Sequence, residues 1–416
     1  MNPFKEYARP ADRIYMDWQK MYPKPYCKEE IDPYTRVRII LMNGTEFEAV
    51  WFKHQFHRNC PNNDIRRELA VLRRVEQQQQ KRIACLKPAN ESILEHTIGY
   101  EQLAVDLTAI LAQREPDPYV VETMNLALLE DFDHLYRYAN LLDFEKRVHA
   151  ENLVGCYTEI MPGRPTISEH RDPHDSVRYW CDFKNAALIT KLNTSIITAA
   201  EQQTMNYYMN QCGFYESDLG RRLYQEIAMI EEQHVTQYGA LLDTTCTWLE
   251  NLLLHEYTEC YLYYSCMMDE TDANVRKIWE EHFDQELSHL HCAAQLLQKY
   301  EGKEWQQVIP GGEFPQLLHF APQKEYIRDV LAGTVRNTAL REDPQFPVNR
   351  MPRNADFFKY QETVNHDVRQ VASHCVIDAT ICAKGCDYRY EDCPNPVEAL
   401  RCRTRDNTEV GRRPNV

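Results

Sequence analysis

The chain has 416 residues, of which 43% are apolar and 26% charged, a balance that supports a sizeable buried core and excludes collagen-like, wholly disordered and membrane-embedded classes. Lys and Arg number 47 against 63 Asp and Glu, a formal charge of −16, which argues against nucleic acid as the main partner. The acid is concentrated: residues 91–300 hold 35 acidic and 14 basic side chains, whereas residues 1–90 hold 11 and 17.

Taken in chain order, the N-terminus lacks the apolar stretch of a signal peptide, and no run approaches the ~20 apolar residues of a membrane helix. The expected compartment is the cytoplasm, with no membrane partner, and most of the 15 cysteines read as reduced and buried. Residues 36–52 place Asn43 and Gly44 between two β-rich runs, which predicts a small β-hairpin. His54, His57 and Cys60 follow at three-residue steps, either a mononuclear metal site or surface side chains. From Pro61 to about Leu86 the pattern turns helical and basic, with Gln77–Gln80 as an exposed helical face or a low-complexity stretch. Residues 1–90 thus read as an N-terminal extension.

Residues 91–300 read as helices over 91–114, 118–143, 186–211, 218–244, 247–267 and 273–300. Residues 144–185, which contain Pro162, Gly163, Pro165 and Pro173, form a long connection with room for a short helix. Residues 301–416 read as a loop-rich extension with helices near 325–333 and 356–375. It carries Cys382, Cys386, Cys393 and Cys402, preceded by His374 and Cys375. These could hold zinc, an iron–sulfur centre or disulfides, or remain unligated thiols; the paired Cys-x2-Cys spacing of zinc-ribbon modules is absent. The fold class is mainly α, a bundle of about six helices in three hairpins, flanked by the two extensions.

Within the helical stretch a pattern repeats. Residues 130–143 and 230–243 align with an acid three before a histidine, a tyrosine four after it, and Leu-Leu-Asp at its end; residues 285–298 form a weaker third copy. The pairs are Asp131/His134, Glu231/His234 and Glu286/His289. In a helix, i and i+3 share a face, so carboxylate and imidazole can approach one cation. Thirty residues before each acid stands another glutamate: Glu101, Glu201 and Glu256. The midpoints, residues 116, 216 and 271, fall in turn regions assigned on independent grounds. Each hairpin therefore sets a Glu level with an acid-x-x-His pair, the half-site of dinuclear carboxylate bundles. Several acids on inward faces imply a cation, because buried carboxylates otherwise carry a heavy desolvation cost.

On these residues, 91–300 resembles the ferritin-like, rubrerythrin-like superfamily of diiron carboxylate proteins. The resemblance implies Glu101, His134, Glu201, Glu231, His234, Glu256, Glu286 and His289 as metal ligands. Asp131 departs from the usual glutamate, and Glu259, three after Glu256, matches an alternative ligand position in rubrerythrin-like proteins. It implies two iron ions, with two manganese or a mixed pair as alternatives, since the ligand set accepts either metal.

Two half-sites are needed and three are present. One histidine per metal requires antiparallel motif helices, so hairpin one should pair with hairpin two or three. The remaining half-site would be vestigial or would pair with its twin across a homodimer axis. The expected function is an oxidoreductase of peroxide or dioxygen, rubrerythrin- or catalase-like, with an external electron donor in the former case. Oxidation of a small metabolite, or a non-enzymatic metal-binding or structural bundle, are the alternatives. Tyr138, Tyr208, Tyr238 and Tyr263 lie seven residues after motif acids, as redox-active groups or as ordinary packing.

Overall fold

The computed structural model describes residues 1–163, 169–334, 337–340 and 343–385. Among them are twelve α-helices: α1 Pro33–Asn59, α2 Asn63–Ala84, α3 Ile93–Arg114, α4 Pro118–Lys146, α5 Ala150–Leu153, α6 Leu188–Phe214, α7 Asp218–Gly239, α8 Trp248–Asp269, α9 Ala273–Glu301, α10 Lys324–Thr334, α11 Asp356–Val364 and α12 Ala372–Lys384. A mainly helical fold is as expected, with twice the expected number of helices. Outside the six of the bundle, α2, α5, α10 and α11 fall where helical stretches were expected, α12 lies mostly beyond the stretch expected near 356–375, and α1 stands where the β-hairpin was expected. β1 Asn337–Leu340 and β2 Asp343–Pro347 pair antiparallel, with Asn337 opposite Pro347 and Leu340 opposite Asp343. Among the described residues no helix is long and apolar enough to cross a membrane.

The predicted N-terminal β-hairpin is absent. Asn43 and Gly44 lie mid-helix in α1, which begins at Pro33 behind the cap Asp32, whose side chain accepts from the Tyr34 N–H. Val37, Ile39, Ile40, Leu41 and Met42 are all buried, and a helix apolar on all sides gives a run that periodicity cannot tell from a strand. The turn signal is overridden by tertiary contact. Gln203 lies where a Gly44 Cβ would come within 2.9 Å of its amide, accepts from Asn43 Nδ2 at 2.6 Å and donates to the Ile40 carbonyl at 2.8 Å.

Four hairpins share one plan. Turns of three residues, 60–62, 115–117, 215–217 and 270–272, join α1 to α2, α3 to α4, α6 to α7 and α8 to α9. The last residue of each turn is a side-chain N-cap, Asn62, Asp117, Ser217 or Asp272, accepting from backbone N–H groups of the first helical turn, as short polar side chains do at this position. Capping boxes at Ser92/Glu95 and Thr247/Glu250 fix the starts of α3 and α8.

The chain divides into two compact units. The first comprises Met1–Glu91, Trp180–Gln203 and Leu242–Phe320; the second comprises Ser92–Tyr179, Thr204–Leu241 and Ala321–Val416. In the first unit, hairpins α1/α2 and α8/α9 pack α1 against α8 and α2 against α9. The N-terminal segment closes on this bundle, with Phe4 stacked on Trp305 at 3.9 Å and Gln285 donating to the Ile14 carbonyl. In the second unit α3 packs on α4, α4 meets α7, and α12 covers both α4 and α7. The long connection returns here against α4, where Gly163 is required: a Cβ would stand 2.8 Å from the Leu129 carbonyl. Helix α6 runs through both units.

Candidate metal centre

Helix register places the acids. Glu101 precedes the first residue of its turn, Glu115, by 14, and Asp131 follows the last, Asp117, by 14. At 1.5 Å rise per residue both sit about 21 Å along their helices from the turn, hence level. Glu201 and Glu231 stand at the same remove from the turn 215–217. His134 and His234 follow one helical turn on, and Glu101, Asp131, His134, Glu231 and His234 are all fully buried.

The side chains converge in two overlapping groups. Glu101, His134 and Glu231 form one; Asp131, Glu231 and His234 form the other, ligand atoms in each lying within 4.8 Å of one another, while Glu201, on α6, belongs to the first unit. Each group has one histidine, and Glu231 belongs to both, the place of a bridging carboxylate. Hairpins one and two are thus brought together. His134 Nδ1 is 3.0 Å from Glu231 Oε1, and His234 Nδ1 is 3.2 Å from both Asp131 Oδ1 and Glu231 Oε2. The opposite nitrogens turn outwards. His134 Nε2 lies 3.1 Å from Glu169 Oε2 and His234 Nε2 lies 2.7 Å from Glu130 Oε2. Glu130 is in turn ion-paired with the buried Arg171.

This is the arrangement by which a metal-binding imidazole is oriented, one nitrogen towards the cation and the other N–H donated to an outer carboxylate. The donor set also fits by charge. Glu101, Asp131 and Glu231 carry three negative charges when ionised, beside two imidazoles, and carboxylate with imidazole suits iron or manganese. Without a cation the acids must find other relief. Burial, reinforced by neighbouring acids, pushes Glu101 and Asp131 above the usual carboxylate range against the pull of the imidazoles. Glu231 is held well below it because hydrogen bonds and charge from both imidazoles outweigh burial. His134 is raised well above its ordinary value, Glu169 and Glu231 overcoming desolvation. No hydrogen bond reaches Glu101 Oε2 or Asp131 Oδ2, both buried. Tyr208 donates to Glu101 Oε1 at 2.6 Å, and Tyr138 packs on Tyr208 with ring centroids 5.2 Å apart.

Glu256, Glu259, Glu286 and His289 lie elsewhere, buried in the first unit. Glu256, Glu259 and Glu286 form one group, and Glu76, Glu256 and His289 another. Hairpin three therefore does not pair with hairpin one. Its partner is the N-terminal hairpin α1/α2, which supplies Glu46, Lys53, Glu76 and Gln79. Sequence reasoning missed these although the signal was present: Glu46 and Glu76 are also 30 residues apart, with their midpoint at Pro61. Two things hid it, the reading of residues 36–52 as β and the glutamine at position 79 where a histidine would complete the motif. Glu130 and Glu169 were missed for a different reason, since an outer carboxylate has no fixed spacing from the histidine it orients.

The satellite signals gather no site among the described residues. His57 accepts from the Arg66 guanidinium, with nitrogens 3.1 and 3.3 Å away, and forms no ligand group with His54 and Cys60. Cys375 and Cys382 are free thiols; Cys386, Cys393 and Cys402 lie outside the described residues. Comparison with known family models, curated proteins and solved structures finds no match for this chain.

Proposed function

We propose that the second unit holds a dinuclear iron or manganese centre and that the protein is an oxidoreductase acting on peroxide or dioxygen. The observation that carries this reading is the paired orientation of His134 and His234. Each offers Nδ1 to a shared carboxylate and Nε2 to an outer one, Glu169 and Glu130. An ordinary buried ion pair has no need of that two-sided arrangement, whereas a metal ligand does.

When bound, such a metal pair would supply redox chemistry towards dioxygen or peroxide. The protein's own contribution is to hold the ligands and keep out bulk water. Glu231 would serve both ions, Glu101 and His134 one, His234 and Asp131 the other; Glu201 is the further ligand that the resemblance implies. Glu130 with Arg171, and Glu169, fix the tautomer and ring plane of the imidazoles. Tyr208 would hold Glu101 through its hydroxyl, leaving Oε2 for the cation. Complete burial of the set favours a small oxidant over a bulky metabolite, and peroxide disproportionation requires no external electron donor. The spacing of the acids and histidines is that of the ferritin-like, rubrerythrin-like proteins, and supports the same reading.

The test is iron and manganese content of protein purified without added metal, followed by peroxide and dioxygen consumption. About two ions per chain are expected, and Glu231→Ala with His234→Ala should remove them, whereas His54→Ala should not. Metal content that survives the double change refutes the ligand assignment. Absence of metal together with failure to reconstitute leaves a structural bundle.

A further inference from the structure

The first unit repeats the plan of the second. Glu46 and Glu76 stand 14 residues either side of the turn 60–62, and Glu256 and Glu286 14 either side of 270–272. Register equates Glu46 with Glu101, Glu76 with Asp131, Glu256 with Glu201, Glu286 with Glu231 and His289 with His234. Even the tyrosine is kept: Tyr263, seven after Glu256, donates to Glu46 as Tyr208 does to Glu101.

Two positions differ. Gln79 stands where register calls for the counterpart of His134, and Lys53, seven residues after Glu46, stands at the counterpart of Thr108, seven after Glu101. Both substitutions put donors among the acids. Lys53 is fully buried, with Nζ against Glu76, 2.8 Å from Glu256 Oε1 and 3.9 Å from Glu259 Oε2. Glu76 and Glu256 also approach His289 Nδ1, at 3.9 and 3.7 Å, beside Glu286 at 3.0 Å. The ammonium thus lies among the ligands of the group equivalent to that of His234. Gln79 Nε2 donates to Glu286 Oε1 at 2.6 Å, the carboxylate equivalent to the bridging Glu231. The outer support has gone too: His289 Nε2 is buried and has no hydrogen-bond partner.

We propose that the first unit is a dinuclear carboxylate template whose cation positions are filled by the protein itself, Lys53 at one and the Gln79 amide at the other. It takes up no metal while those two side chains are present. An ammonium of fixed charge supplies what a cation would at Glu76 and Glu256, and a divalent ion must displace a buried, multiply paired lysine to enter. Acids of such a cluster that an ammonium and an imidazole do not balance can hold protons instead.

The experiment replaces both side chains by their counterparts, Lys53→Thr with Gln79→His, in the full chain. Metal-free wild-type and variant proteins are loaded anaerobically with excess cobalt(II), desalted and counted for cobalt per chain. A gain of about two ions over wild type is expected, with the visible absorption of bound cobalt(II) rising in proportion. A folded variant that takes up no more than wild type overturns the proposal. If the variant fails to fold, wild type decides: about two ions or fewer agrees, and about four shows that Lys53 closes nothing. Because the readout is a difference, a wild type without metal and a variant with two would sink the reading of the second unit and leave this one standing.

Discussion

Glu130 offers a direct test of the outer carboxylates, because it separates fold from metal affinity. It accepts from His234 Nε2 at 2.7 Å with one oxygen and pairs with Arg171 through the other. Arg171 is fully buried, and its Nε and Nη2 have no hydrogen-bond partner. Glu130→Gln leaves that guanidinium as an unpaired buried charge, which costs about 3–5 kcal/mol of stability. The amide oxygen can still accept from the imidazole but without charge. The loss expected for an outer partner is about 10- to 100-fold in metal affinity, or roughly 1.4–2.8 kcal/mol. Adding Arg171→Met removes the stranded charge and should restore stability to within about 1 kcal/mol, since a buried pair replaced by apolar side chains is often neutral. It should not restore affinity. Urea denaturation of the metal-free proteins gives the first quantity and competitive cobalt(II) titration the second. If the double variant regains affinity along with stability, Glu130 supports the fold alone and the orientation of His234 is incidental to metal binding.

Two further outcomes follow from the first unit. Glu270 is buried, accepts from Arg38 Nε at 2.9 Å and from Trp279 Nε1 at 3.1 Å, and is also bonded by Thr35. Its pKa is lowered because the Arg38 and Thr35 contacts outweigh burial. A carboxyl depressed on folding adds stability above its unfolded value and loses it as pH falls through the folded one. Unfolding free energy should therefore drop below about pH 4.5, and Glu270→Gln should flatten that limb in urea melts taken from pH 3 to 6; an unchanged slope removes Glu270 as its source. Gly44→Ala would gain about 1 kcal/mol from helix propensity, but its Cβ would stand 2.9 Å from the Gln203 amide. We expect a net loss of up to about 2 kcal/mol, overpacking costs being typically 1–3. Stabilisation would mean that Gln203 yields freely.

The hairpins with acid-x-x-His motifs were legible because spacing is a property of the chain alone. An acid 14 residues from a three-residue turn remains level with its partner whatever packs around it. What escaped was set by contacts distant in sequence. The Asn43-Gly44 turn signal is local and strong, and loses to Gln203, 160 residues away from Asn43. Lys53 reads as a surface lysine on α1 until Glu76 and Glu256 are placed around it. Pairing of the half-sites is narrowed by requiring one histidine per metal, but resolving it needs the N-terminal helical hairpin, whose first helix reads as a β-hairpin. Glu169, 35 residues from His134, lies in a connection without periodicity, where its carboxylate carries no signal.

The hairpins are nested in the chain: the first and last assemble in the first unit, α3/α4 lies in the second, and α6/α7 lies there from Thr204 onwards. During synthesis α1 and α2 emerge first, yet their partners α8 and α9 begin only at Trp248. At about 5–20 residues per second, the N-terminal hairpin waits on the order of ten seconds or more with Lys53 and its apolar face unsatisfied. The inner hairpins meet sooner. A ribosome stalled shortly after Gly239 would hold a chain with the helices of the candidate centre already made and its N-terminal hairpin still without α8 and α9, open to chaperones and proteases.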